Sequence, residues 1–303
     1  MRKILLVWLV LTGWLGPLAG STAAQERTVY VLTVDGAITA AIGDYIGRGI
    51  RLAERDGAGA MVIRLNTPGG DLQSTTRIME RLENASVPVI VYVWPRGGMA
   101  ASAGTLILLA AHRAAMAPRT TIGAAHPVAA PGTEETVSPE MMEKIVNVMT
   151  EHARLFAERR GEAAAEWAQR AIRESATAGP DEALKVGIID LIAEDMNQLL
   201  EGLDGQTVTL GDGRKVTLHT AGATVREIPL SPIEQFLQIL INPNIAFILI
   251  TIGVQAILIE LASPGGWVAG FIGVLCLALA AYALGVLPFN WLGLLLIATA
   301  IVL

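Results

Sequence analysis

The stretch MAASAGTLILLAA, residues 99–111, sets Ser102 among small residues and directly ahead of a long apolar run. A serine there can cap a helix, because the first backbone N–H groups of a helix lack partners and a serine oxygen readily accepts one. It can also attack a carbonyl, provided a base takes its proton and donors hold the oxyanion that develops. Residues 66–71, NTPGGD, offer donors of that kind. Gly69 and Gly70 can present backbone N–H groups to an anion, although the same pair also makes an ordinary tight turn.

Three residues compete as the base. His112 follows Ser102 by ten residues. On one helix that is about 15 Å at 1.5 Å per residue, too far for contact. His126 falls in a loop after an expected strand. Lys144 lies 42 residues beyond Ser102, on a helical run with Met141, Met142, Ile145 and Val148. Apolar burial lowers a lysine's pKa and lets it take a proton, whereas a lysine on a solvated helix face stays charged. Pattern alone leaves Lys144 and His126 both open.

These residues need a scaffold. Residues 29–34 (VYVLTV), 60–65 (AMVIRL) and 87–93 (VPVIVYV) read as strands, each a nearly continuous apolar run. Helical spacing covers 38–54, 72–85, 101–114, 140–160 and 163–173. Strands alternating with helices of this length predict βαβ units around a parallel sheet buried on both faces. The loops at 66–71 and 95–102 come after successive strands, so both emerge at the carboxyl edge, where ligands bind in such sheets. HPVAAPGTEETVSP, residues 126–139, has no period and reads as a mobile loop. Residues 179–195 predict a short helix, a turn at Gly187 and a last strand. Residues 206–218 predict a hairpin around Gly211, Asp212 and Gly213.

Composition narrows the classes. Of 303 residues 52% are apolar, the net charge is −6, and there are four lysines. No basic cluster suggests nucleic acid. A lone Cys276 in an apolar stretch excludes an intrachain disulfide and reads as a small buried hydrophobe. The four histidines lack ligand spacing, so neither a metal nor a cofactor is expected. Residues 1–24, with Arg2 and Lys3 ahead of an apolar core, form a secretory signal by pattern, with an uncleaved anchor as the alternative. Either places residues 25–225 on the non-cytoplasmic side. Residues 226–303 form a membrane region. Ser231–Leu240 is amphipathic, and Ile245–Ala262 and Trp267–Phe289 are long enough to span a bilayer. The 13 residues from Trp291 stop short of a span, so the natural chain is expected to continue. No Lys or Arg lies beyond Arg226, so flanking charge cannot orient the spans. Glu260, near a span end, reads as interfacial.

GGMAASAGTLILLAA, with NTPGGD before it and MAPRTTIGAAHP after it, resembles the membrane-bound serine proteases of the NfeD family, relatives of signal peptide peptidase A and more distantly of ClpP. PDEALKVGIID and INPNIAFILITIG…LIELASPGG extend the resemblance over roughly residues 27–303. It implies a ClpP/crotonase-like α/β domain with flanking helices, followed by transmembrane helices. It further implies a Ser–Lys dyad of Ser102 and Lys144, with Gly70 and Ala103 as the oxyanion-hole amides. A membrane-anchored endopeptidase that cleaves hydrophobic segments of stomatin-like membrane proteins is the implied activity, and a homo-oligomer the implied assembly. Longer members carry one more span and a small C-terminal β-barrel, which these residues do not contain. An inactive membrane scaffold bound to a stomatin-like partner is the alternative.

Overall fold

The structure is a computed structural model, and it describes residues 28–128, 138–263 and 266–284. The expected signal at 1–24, most of the 126–139 loop and the apolar run from Trp291 lie outside the described residues. The chain divides into two compact units, Met1–Pro229 and Leu230–Leu303.

In the first unit, β1 (Thr28–Asp35), helix α1 (Ala40–Arg55), β2 (Ala60–Asn66), helix α2 (Leu72–Glu83) and β3 (Val89–Val93) follow one another. Then come β4 (Met99–Ala101), helix α3 (Ala103–Ala110), β5 (Arg113–Met116) and β6 (Thr121–Gly123). Helices α4 (Pro139–Glu158) and α5 (Glu162–Arg173), β7 (Thr177–Ala178), α6 (Pro180–Lys185) and β8 (Leu191–Ile192) complete the middle of the unit. Helix α7 (Met196–Leu203), the hairpin of β9 (Thr207–Thr209) and β10 (Lys215–Thr217), and β11 (Thr224–Glu227) close it.

The main sheet has the order β11-β1-β2-β3-β5-β8, and every pairing in it is parallel. Its central strands are apolar on both faces, and all five residues of β3 are buried. This is the expected parallel sheet of an α/β domain. A second, three-stranded sheet, β4-β6-β7, stands beside it. The expected 206–218 hairpin forms, with Val208 opposite Val216.

Three local expectations change. The helix expected over 101–114 is confined to Ala103–Ala110, because residues 113–116 leave it to pair with β3. The strand expected to be the last, β8, is followed by β11, which pairs with β1 at the far edge of the sheet. All four residues of β11 are exposed, so it lacks the apolar run that betrays a strand. The strand expected over 87–93 begins at Val89.

The second unit holds helix α8 (Pro232–Leu240), helix α9 (Pro243–Ala262) and helix α10 (Val268–Ala283). Residues 244–262 of α9 are long and apolar enough to cross a membrane. Helix α10 covers the described part of the second expected span and is shorter. Glycines let α9 and α10 approach closely: a Cβ on Gly273 would lie 2.5 Å from Ile257 Cγ1 and 2.9 Å from the Gly253 carbonyl oxygen. The Glu260 carboxylate accepts from the Trp267 and Gly270 amides at 3.0 and 3.2 Å and so caps α10.

Candidate active site

Ser102 stands at the junction between β4 and α3. It occupies the N-cap position, yet its side chain accepts no capping hydrogen bond. Its backbone is at φ 52°, ψ −116°, a conformation that costs a non-glycine residue of order 1–3 kcal/mol and persists only where the surroundings enforce it. The capping reading therefore fails at this residue. A strained strand-to-helix turn that presents a serine hydroxyl is a known way to expose a nucleophile.

The surroundings that enforce it are identifiable. Ala101 N–H donates to the Thr67 carbonyl at 3.0 Å and Ser102 N–H to the Gly123 carbonyl at 2.9 Å. Thr105, buried one turn into α3, donates to the Ala100 and Gly123 carbonyls at 2.8 and 3.1 Å and accepts from Gly123 N–H at 2.8 Å. Thr67 N–H donates to the Met99 carbonyl, and the Thr67 hydroxyl closes a small ring with Gly69. Asn66 accepts from Met99 N–H and donates to Asp35. The turns after β2 and β3 are thus stitched together, as their shared position at the carboxyl edge predicts.

Glycine is required twice here. A Cβ on Gly69 (φ +131°) would lie 2.8 Å from Ser102 Cβ. A Cβ on Gly70 would lie 2.0 Å from the Ile38 carbonyl oxygen. Ile38 pairs with the turn through Ile38 N–H to Gly69 O and Asp71 N–H to Ile38 O. In such a bridge the Gly70 N–H points away from Ile38 and, among the described residues, has no partner. The Ala103 N–H, first in α3, is likewise open. Two free amides therefore flank Ser102, at the positive end of a helix that is buried on every side.

Gly70, Ser102 and Ala103 share one cavity of about 530 Å³. Its walls include Leu72, Leu106, Met142, Ile145 and Met149, so it is apolar around a few polar groups. Asp71 also lines it, but its carboxylate caps α2 by accepting from Ser74 N–H at 2.6 Å.

The two bases fare differently. Lys144 is exposed on α4 rather than enclosed by its apolar neighbours. It lines an adjoining cavity of about 230 Å³ with Thr76, Val148 and His152, divided from the first by Leu72, Ile145 and Met149, which line both. The structure thus brings Gly70, Ser102 and Ala103 together and leaves Lys144 one wall away. His126 Nδ1 donates to the Ile172 carbonyl at 2.8 Å, and its neighbours Ala125, Pro127 and Val128 line the Ser102 cavity while it does not. His112 is buried, and its Nδ1 accepts from Val89 N–H at the start of β3, the end of the sheet opposite Ser102. Burial, with Arg159 and Arg160 nearby, pushes its pKa down to about 4. Arg159 and Arg160 in turn cap the far end of α3, donating to the Leu109 and Ala111 carbonyls. No group of three or more His, Cys, Asp or Glu side chains suited to a metal occurs among the described residues.

Residues 28–210 match the NfeD1b N-terminal domain, and residues 244–303 match the NfeD integral membrane domain. The chain belongs to the NfeD family. Among NfeD relatives, the membrane-bound protease PH1510 of Pyrococcus horikoshii is 35% identical over 301 residues, covering 99% of this chain and 67% of its own length. The membrane protein NfeD1b of Bacillus subtilis is 26% identical over 86% of this chain, which spans 56% of that protein. The solved 1510-N membrane-bound stomatin-specific protease, a lysine-to-alanine mutant in complex with a substrate peptide, superposes with a TM-score of 0.64 at 35% identity. That match covers 70% of this chain and 97% of the solved one. A serine-to-alanine mutant of the same protease gives 0.61 at 37% identity, over 68% of this chain and 99% of that one. The NfeD membrane domain makes this a membrane-bound protein.

Sequence reading missed Thr105. It lies in the same run as Ser102, but a threonine in an apolar helix reads as filler until its three backbone partners are seen. Thr67 and Gly123 were likewise visible within motifs without a role.

Proposed function

We propose that the protein is a membrane-anchored serine endopeptidase with a Ser102–Lys144 dyad. The observation that carries this reading is the strained, uncapped Ser102 between two open amides in an apolar cavity. Ser102 Oγ attacks the peptide carbonyl, forming the acyl–oxygen bond as its proton passes to the Lys144 amine, which must first be covered by the bound peptide to act as a base. The Gly70 and Ala103 amides hold the oxyanion of the tetrahedral intermediate, a contribution of a few kcal/mol for each donor. The protonated lysine then delivers its proton to the leaving amine, and water hydrolyses the acyl-enzyme by the reverse path. No step calls for a metal or cofactor.

Two further points support the dyad. The 1510-N protease was studied with a serine and with a lysine replaced, and these are spaced along its chain almost as Ser102 and Lys144 are. Leu72, Ile145 and Met149, which line both cavities, all carry side chains with several rotamers, so a bound peptide can widen the passage between the two. The substrate class that fits the cavity is an extended apolar segment. The relative's specificity for a stomatin homologue makes a stomatin-like membrane protein the partner to try first. Met141, Val148 and Leu155 leave an exposed apolar stripe on α4, which favours a homo-oligomer. We further assign residues 25–225 to the protease domain, on the non-cytoplasmic side, and residues 226–303 to a multi-pass membrane domain. An inactive scaffold is the second reading, favoured only by the exposure of Lys144.

The test is cleavage of the C-terminal apolar segment of a stomatin-like protein by the full chain in vesicles, with Lys144→Ala and His126→Ala beside it. The dyad predicts that Lys144→Ala abolishes cleavage and His126→Ala retains it. The opposite pattern makes His126 the base. Cleavage by none of the three, with folded protein, supports the scaffold.

A further inference from the structure

Helix α8 is amphipathic in an unusual way. Ile233, Phe236 and Ile239 are about half exposed, at 50%, 49% and 59%. At 100° per residue they fall within a 120° arc, with Gln238 on the opposite side and Gln235 just beyond the edge of the arc. The helix has no lysine or arginine. Its one charged residue, Glu234, is turned back into a capping box: Ser231 N–H donates to its carboxylate at 2.7 Å, and Glu234 N–H donates to Ser231 Oγ. An exposed apolar stripe of three large residues on a nine-residue helix needs a cover.

The chain says what the cover is. Only Ile241 and Asn242 separate α8 from α9, a reach of about 7 Å at most. Helix α9 has 20 residues, about 30 Å of helix, which matches the hydrocarbon thickness of a bilayer from end to end. Phe247, Ile248, Ile252, Leu258 and Ile259 are exposed on the face of α9 turned away from α10, as lipid contact requires, and the NfeD membrane domain match begins at residue 244. The first turn of α9 therefore lies at a membrane boundary, and α8, tied to it by two residues, is held at that same depth. A groove where α8 meets α9 is lined by the amide side chains of Gln235, Gln238 and Asn242 together with Ile239 and Ile245, the mixed lining of a site between headgroups and acyl chains.

We propose that α8 lies in the membrane–water interface, with Ile233, Phe236 and Ile239 inserted among the upper acyl chains and Gln235 and Gln238 at headgroup level. Without basic residues, insertion rests on apolar burial and not on attraction to anionic lipid. The helix thus fixes the depth at which the chain leaves the bilayer. The proposal is independent of the proteolytic reading.

The experiment uses the full chain with Cys276→Ala and one cysteine at a time at positions 233, 235, 236, 238 and 239, each labelled with an environment-sensitive fluorophore. The protein is reconstituted in phosphatidylcholine vesicles, and quenching by aqueous iodide is compared with quenching by lipids bearing a nitroxide near the headgroup end of the chain. Labels at 233, 236 and 239 are expected to shift to the blue, resist iodide and lose most of their emission to the nitroxide lipid. Labels at 235 and 238 are expected to do the reverse, and added anionic lipid to change neither set. Equal iodide quenching at all five positions overturns the proposal. Protection at 233, 236 and 239 without quenching by the nitroxide lipid also overturns it, since a protein surface would then cover the stripe. The pattern over five positions survives the failure of any one variant to fold.

Discussion

The two sides of the Ser102 cavity are built on different principles. On one side, Ser102 and the 66–71 turn are held by backbone hydrogen bonds from Thr67, Gly123 and Ile38 and by the buried Thr105 hydroxyl. On the other side stands the N-terminal half of α4, where Met141, Lys144 and Val148 are exposed. The far half of the same helix is different again: Thr150, Ala153 and Ala157 are buried, and Arg159 and Arg160 fasten its end to the last carbonyls of α3. Ser102 and the Gly70 and Ala103 amides are thus held in place before any substrate arrives. Lys144, the proposed base, sits on the unfastened end of a helix whose other end is fixed. Fixed donors cost no reorganisation at the moment of reaction, so under the proteolytic reading the fold gives rigidity to the oxyanion side and leaves adaptability to the side that must admit a peptide.

The contrast can be broken most severely at Gly70. Gly70→Ala forces the turn away from Ile38, so the Gly70 amide moves. Under the proteolytic reading, kcat is expected to fall by about 10²–10³, as for loss of one oxyanion donor. Steady-state cleavage measures this, and an unchanged kcat would remove Gly70 from the site.

Acid probes the fastened base of the assembly. His112 titrates near 4 when folded and near 6.5 when unfolded. Below 6.5 the unfolded chain takes up a proton that the folded one refuses, so stability is expected to fall as pH drops from 6.5 toward 4. The loss amounts to about 3 kcal/mol at the low end, at 1.36 kcal/mol per pKa unit. Urea unfolding at several pH values reads it, and His112→Gln should flatten this part of the profile.

Thr105→Val removes a hydroxyl with three backbone partners. A stability loss of about 1–3 kcal/mol is expected, with kcat lowered more than KM changes. An equal loss of stability with full kcat would mean that Thr105 supports the fold and not the Ser102 turn. The smallest effect belongs to the exposed side: Val148→Ser is expected to shift stability by no more than about 0.5 kcal/mol. If α4 packs against a second copy, the same change weakens the oligomer seen by sedimentation.

How far each element can be read from sequence depends on how it is stabilised. Strand β3 was legible because both its faces are buried, and α4 because its apolar spacing is sustained over 20 residues. Strands β4, β6 and β7 have three residues or fewer and no period, and β11 is wholly exposed, so their pairing appears only in three dimensions. The site divides the same way. The meeting of NTPGGD and Ser102 follows from parallel-sheet topology. Backbone dihedrals are not written in residue types, so a capping serine and a strained one read alike. The exposure of Lys144 was hidden for a related reason: periodicity tells which face of a helix is apolar, not whether anything covers it.

The central claim is that Ser102 is a nucleophile. Its most direct test is cleavage of apolar peptides by the full chain in vesicles beside Ser102→Ala, both checked for fold and assembly. The account predicts cleavage by the parent protein and a loss of at least about 10⁴-fold in the variant, with no loss of stability. Equal cleavage by the two proteins would contradict it.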